Sequence, residues 1–94
     1  MARKLPDYIT EGEDGALSVD LLRGIEIAGA KVKSLTLREP TLNDQLAAQK
    51  GKASEAELEV ALIANLAEVT PEELRRAKMR DYARLQEALG FFYG

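Results

Sequence analysis

Cysteine and histidine are both missing from this 94-residue chain. Without thiols there can be no disulfide, and nothing in the composition points to an oxidising compartment. Without thiolate or imidazole the usual zinc, iron and copper sites fall away. Ser18, Ser34 and Ser54 are nucleophiles in type, but no imidazole is available to activate them. Long apolar runs are missing too. No stretch of about 18 apolar residues occurs, so no membrane-spanning helix is expected. The charged start Met1-Ala2-Arg3-Lys4-Leu5-Pro6 is not followed by the apolar segment of a secretory signal. The expected location is the cytoplasm in which the chain is made. A surplus of positive charge is also lacking. The net charge of −3 gives little of the phosphate attraction that drives nucleic-acid binding.

What remains is the composition of a small globular protein, with 46% hydrophobic and 31% charged residues. That suits one domain, here expected over 16–94, preceded by a flexible acidic arm over 1–15. The arm ends in Glu11-Gly12-Glu13-Asp14-Gly15. A calcium loop there fails on spacing: with Gly15 at the sixth position, Thr10, Gly12 and Leu21 fall where ligands are needed. A solvated loop is the better reading.

From residue 17 the apolar positions alternate. Leu17, Val19 and Leu21 are separated by Ser18 and Asp20; Ile25 and Ile27 flank Glu26; Leu35 and Leu37 flank Thr36. Period two predicts strands with one buried face. Ala28-Gly29-Ala30 can reverse the chain, and Arg23-Gly24 is either a bulge or another turn. The expectation is an antiparallel β-hairpin over about 17–38, extending to as many as three short strands and covered by helices because a lone hairpin is marginal in water.

Beyond Pro40 the period becomes helical. Thr41 can cap a helix through about Lys50 with Leu42 and Leu46 on one face, and Gly51 stops it. Ser54-Glu55-Ala56-Glu57 reads as a capping box. In the helix it opens, Leu58, Leu62, Leu66 and Val69 form one stripe and Val60, Ile63 and Ala67 another. The polar sector beyond the first turn is only Glu57, Asn65 and Glu68, as for a central helix contacted on most sides. Thr70-Pro71-Glu72-Glu73 starts a further helix, and Asp81 can cap another carrying Tyr82, Leu85, Ala88 and Leu89. Whether 71–90 is one helix or two is left open by the pattern. The overall expectation is α+β, the hairpin packed on three to four short C-terminal helices.

Two side-chain groups invite functional readings. Arg75, Arg76, Lys78, Arg80 and Arg84 form the one basic cluster, and Arg76, Arg80 and Arg84 would make a stripe on a continuous helix. That suits a small DNA-binding regulator, although a solvated face with Glu72 preceding Arg76 at helical spacing explains it as well. Glu55, Glu57 and Glu59 crowd one helix start, where capping and the helix dipole account for them better than acid–base catalysis. At the end of the chain, Leu89, Phe91, Phe92 and Tyr93 are either core or a docking element.

Several stretches together resemble a known family. They are Gly24-Ile25-Glu26-Ile27-Ala28-Gly29, then Leu35-Thr36-Leu37-Arg38-Glu39-Pro40-Thr41, then Asp81-Tyr82-Ala83-Arg84-Leu85 and Gly90-Phe91-Phe92. Their order and spacing over roughly 17–93 are similar to the tail assembly chaperones of long-tailed phages, typified by those of Mu-like phages and found also in prophages. The resemblance implies a non-enzymatic protein of the host bacterial cytoplasm, absent from the mature virion. It implies binding to the tape measure protein, which is kept soluble while the tail assembles. Tail tube subunits, a frameshifted longer form of the same chain and further copies of the chain are secondary partner candidates. No catalytic residue, cofactor or metal is implied, and no nucleic-acid or membrane partner. Leu89, Phe91, Phe92, Tyr93, Arg76, Arg80 and Arg84 are the candidate partner-binding residues, with the regulator as the alternative function.

Overall fold

A computed structural model describes residues 4–51 and 54–94. The charged start over 1–3 and the two residues before Ser54 lie outside the described residues. Three strands, β1 (Ile9–Glu11), β2 (Leu17–Ile27) and β3 (Ala30–Leu37), precede four helices, α1 (Leu42–Gln49), α2 (Glu55–Ala67), α3 (Pro71–Arg75) and α4 (Met79–Phe92). The fold is α+β, with the hairpin in the N-terminal half.

The sheet is antiparallel in the order β1-β2-β3. Its period-two pattern buries Leu17, Val19, Leu21, Ile25, Leu35 and Leu37 on the face toward the helices. The β2–β3 turn is the two-residue Ala28-Gly29, both with positive φ (51° and 85°), as tight hairpin turns demand. Glu73 of α3 holds that tip, its Oε2 accepting from the Ala28 N–H at 3.0 Å.

Arg23-Gly24 belongs to a wide bulge. Asp20 pairs with Ser34 and Ile25 with Val32, so Leu21, Leu22, Arg23 and Gly24 together oppose only Lys33. Such an interruption leaves backbone N–H groups without ladder partners. The fully buried Asp81 supplies them: its carboxylate accepts from the N–H groups of Leu22, Arg23 and Gly24 at 2.6, 3.0 and 3.0 Å. Gly24 has φ +88°, and a Cβ there would stand 2.8 Å from the Val32 carbonyl oxygen, so only glycine fits.

The third strand comes from an unexpected place. Ile9–Glu11, inside the segment read as a flexible arm, pair with Leu17–Val19 and bury Ile9. One apolar residue gives no readable alternation, and the free edge of β2 does the rest.

The helices begin where the capping residues predict. Thr41 and Thr70 form complete capping boxes with Asp44 and Glu73, and the Ser54 hydroxyl accepts from the Glu57 N–H at 3.1 Å. α2 packs on α1, α3 and β3. It buries Leu62, Ile63, Ala64 and Leu66 while Glu57, Asn65 and Glu68 stay exposed. The segment 71–90 is two helices, broken over 76–78. Asp81 is not the cap of the second: the N-cap is Lys78, which makes no side-chain capping bond. Asp81 sits in the first turn instead and turns inward, because the bulge has three donors to satisfy.

Candidate partner-binding surfaces

α1 is anchored through polar groups. Arg38, at the end of β3, grips Asp44 with two parallel bonds, Nη1–Oδ2 at 2.7 Å and Nη2–Oδ1 at 3.0 Å. The same carboxylate accepts from the Thr41 N–H at 2.9 Å and from Asn65 Nδ2 of α2 at 3.3 Å. The Arg38 guanidinium, followed by the Thr41 amide, holds the Asp44 carboxyl well below the ordinary carboxylate range. Only Asp44 and Ala48 of α1 are buried. The leucines that share a face by sequence spacing therefore point outward, with Leu42 75% exposed and Leu46 56% exposed. Two leucines one helical turn apart on a surface helix form an apolar ridge of the kind used for docking.

The C-terminal residues divide. Leu89 is buried, and Phe91 and Phe92 are half-buried against the core. Tyr93 is 65% exposed, its hydroxyl donating to Gln45 Oε1 of α1 at 3.3 Å. Beside it lies an open recess of about 300 Å³. Its apolar lining is Leu58, Leu62, Leu89 and Tyr93, with Glu55 and Glu59 among the lining residues. Glu59 accepts from the Tyr82 hydroxyl and from Gln86 Nε2, both at 2.8 Å. Burial, followed by that bond to Glu59, raises Tyr82 above the ordinary tyrosine range.

The basic residues do not make a stripe, because the helix that would align them is broken. Arg76 is the C-cap of α3, whereas Arg80 and Arg84 belong to α4. Arg84 is used inside the fold: Nη1 donates to the Asp20 carbonyl at 2.8 Å and the guanidinium lies 4.0 Å from the centre of the Tyr8 ring. Tyr8 in turn donates to Glu87 Oε1. Arg80 instead joins Arg23 and Lys78 around Met79, which is 73% exposed. The four residues line an open hollow, which sequence reasoning missed, since Met79 in isolation carries no signal and Arg23 is distant in the chain.

Among the described residues no three Asp or Glu converge to hold a metal ion. No helix among them is long and apolar enough to cross a membrane. A family profile described as phage tail assembly chaperone proteins, E, or 41 or 14, matches residues 18–94. The chain belongs to this family. No curated protein and no solved structure matches the chaperone. The profile match runs from the second residue of β2 through α4, and so takes in all three surfaces described above: the Leu42–Leu46 ridge, the acidic recess and the hollow beside Met79.

Proposed function

We propose that this tail assembly chaperone binds the tape measure protein of its own phage and keeps it soluble in the host bacterial cytoplasm until the tail is built, without itself entering the virion. The observation that carries the reading is the family match over 18–94. A chaperone family also supports a non-enzymatic role. The outward ridge of Leu42 and Leu46 suits a long helical client, whose apolar stripe would lie along it. Tail tube subunits and a frameshifted longer form of the chain are further partners in this scheme.

Co-expression tests it. The client should move from the insoluble to the soluble fraction and co-purify with the chaperone. The double variant Leu42→Ser/Leu46→Ser should fold as the parent does and lose that effect. A client that stays insoluble beside abundant parent chaperone would overturn the reading.

A further inference from the structure

We propose that the bulge of β2 and the start of α4 form a docking surface for an acidic segment of a partner protein, one that carries an apolar side chain among its carboxylates. The surface begins with the hollow lined by Arg23, Lys78, Met79 and Arg80. It continues onto β3. Gly24, next to Arg23, leaves room that the stems of Lys31 and Lys33 fill: a Cβ there would stand 3.1 Å from Lys31 Cγ and 3.2 Å from Lys33 Cδ. The bulge thus gathers five cations, from β2, from β3 and from the first residues of α4.

The chain does not neutralise them. None of the five makes an ion pair within the described residues. Glu26 is the cross-strand neighbour of Lys31, yet the two stay beyond ion-pair distance. Asp81 follows Arg80, but it is fully buried and its oxygens accept from the N–H groups of Leu22, Arg23 and Gly24. Like charges crowded together repel unless something offsets them. A chain of net charge −3 has carboxylates to spare, and it places none at ion-pair distance here. The surface gains when carboxylates arrive from outside.

Met79 decides what kind of anion fits. It is 73% exposed and stands among the cations of the hollow. A flexible apolar side chain there is covered by another apolar side chain, which a phosphate backbone does not offer. No aromatic ring lines the hollow for a base to stack on. A protein segment with an apolar residue between carboxylates meets both the charge and the methionine. The surface shares no residue with the Leu42–Leu46 ridge, so it is a second docking place and does not rest on the reading of the first.

Fluorescence anisotropy tests the proposal, with a labelled peptide of glutamates around a central pair of leucines as the probe. The parent chaperone should bind it saturably and lose it as salt rises. The same peptide with glutamine in place of glutamate should not bind. Arg80→Glu should weaken binding about tenfold at the parent melting temperature, and Met79→Ser should weaken it at unchanged charge. Lys50→Glu, which makes the same change of net charge away from the hollow, should leave binding within about twofold of the parent. Should Arg80→Glu fail to fold, Arg80→Gln and Met79→Ser still read out the surface. Absence of binding by the parent overturns the proposal, as does binding that neither the Arg80 nor the Met79 variant weakens. Equal losses from Lys50→Glu and Arg80→Glu would reduce it to an effect of net charge. Tighter binding of a DNA duplex of the same charge would give the surface to nucleic acid, and displacement of the peptide by unlabelled chaperone would give it to a second copy; either result overturns it.

Discussion

α1 and α2 are neighbours held in place by opposite means. α2 is fixed by apolar burial, with Leu62, Ile63 and Leu66 almost wholly out of water. α1 places only Ala48 in the core and is otherwise held through one carboxylate, Asp44, which collects Arg38, Thr41 and Asn65, while its leucines face out. In most small domains the apolar residues do the anchoring and polar ones face solvent. Inverting that on one short helix leaves two leucines in solvent. The difference teaches that leucine spacing on a helix reports a shared face, not the direction in which the face points.

The same substitution should separate the two helices. Leu62→Asp puts an unpaired charge into the core and should cost about 4 kcal/mol or more, leaving the protein unfolded at ordinary temperature by circular dichroism. A cooperative melt at the parent midpoint would show that α2 is not the central helix. The polar anchor is the next test. Asp44→Asn removes the charge that Arg38 grips, and amide exchange over α1 should accelerate while the core amides of α2 keep their protection. Acid should mimic it in the parent. The folded Asp44 carboxyl titrates below its ordinary value of 3.8, so its stabilisation is complete above that value and is lost as pH falls through the lower folded value. Glu73 is depressed in the same direction, first by the Thr70 amide and then by that of Ala28, so the local α1 amides report on Asp44 where a global melt would not. α1 protection that is independent of pH in this range would remove Asp44 as the anchor.

The end of α2 offers a smaller change of opposite sign. Glu68, its C-cap, is held at φ 59° and ψ 42°, a left-handed conformation that costs a residue with a Cβ. Glu68→Gly should raise stability by about 0.5–1 kcal/mol in a denaturant titration. A loss would mean that the side chain contributes more than the backbone strain removes. Smallest of all, Leu42→Asp on the exposed ridge should alter stability by less than about 0.5 kcal/mol. A large loss there would erase the contrast between the helices.

Much of this was readable. Ser54, Thr41 and Thr70 marked helix starts because capping is local and needs no knowledge of the rest of the chain. Alternation placed β2 and β3 for the same reason. Illegible were the features that depend on distant partners. Asp81 looked like a cap, since its three acceptor bonds run to residues 57 to 59 positions away. β1 rests on a single buried isoleucine and a ladder that leaves no pattern in the side chains. The arginine stripe depended on helix continuity, and the break between α3 and α4 removed it. The hollow beside Met79 draws Arg23 from the bulge, whose geometry no spacing rule gives.

The bond between Asp81 and the bulge sets an order of events during synthesis. The strands leave the ribosome first, and the hairpin can pair as soon as Leu37 is made. Yet the amides of Leu22, Arg23 and Gly24 have no protein acceptor until residue 81 has emerged and α4 has begun to wind. Closing so long a loop is slow compared with local pairing, so this is a late step of folding. Asp81→Ala should accordingly hasten unfolding in a chevron experiment and leave the folding arm nearly where it was. A nascent chain stopped short of α4 would hold its sheet only loosely, and the chaperone becomes a finished surface only when its last helix closes over the kink in its longest strand.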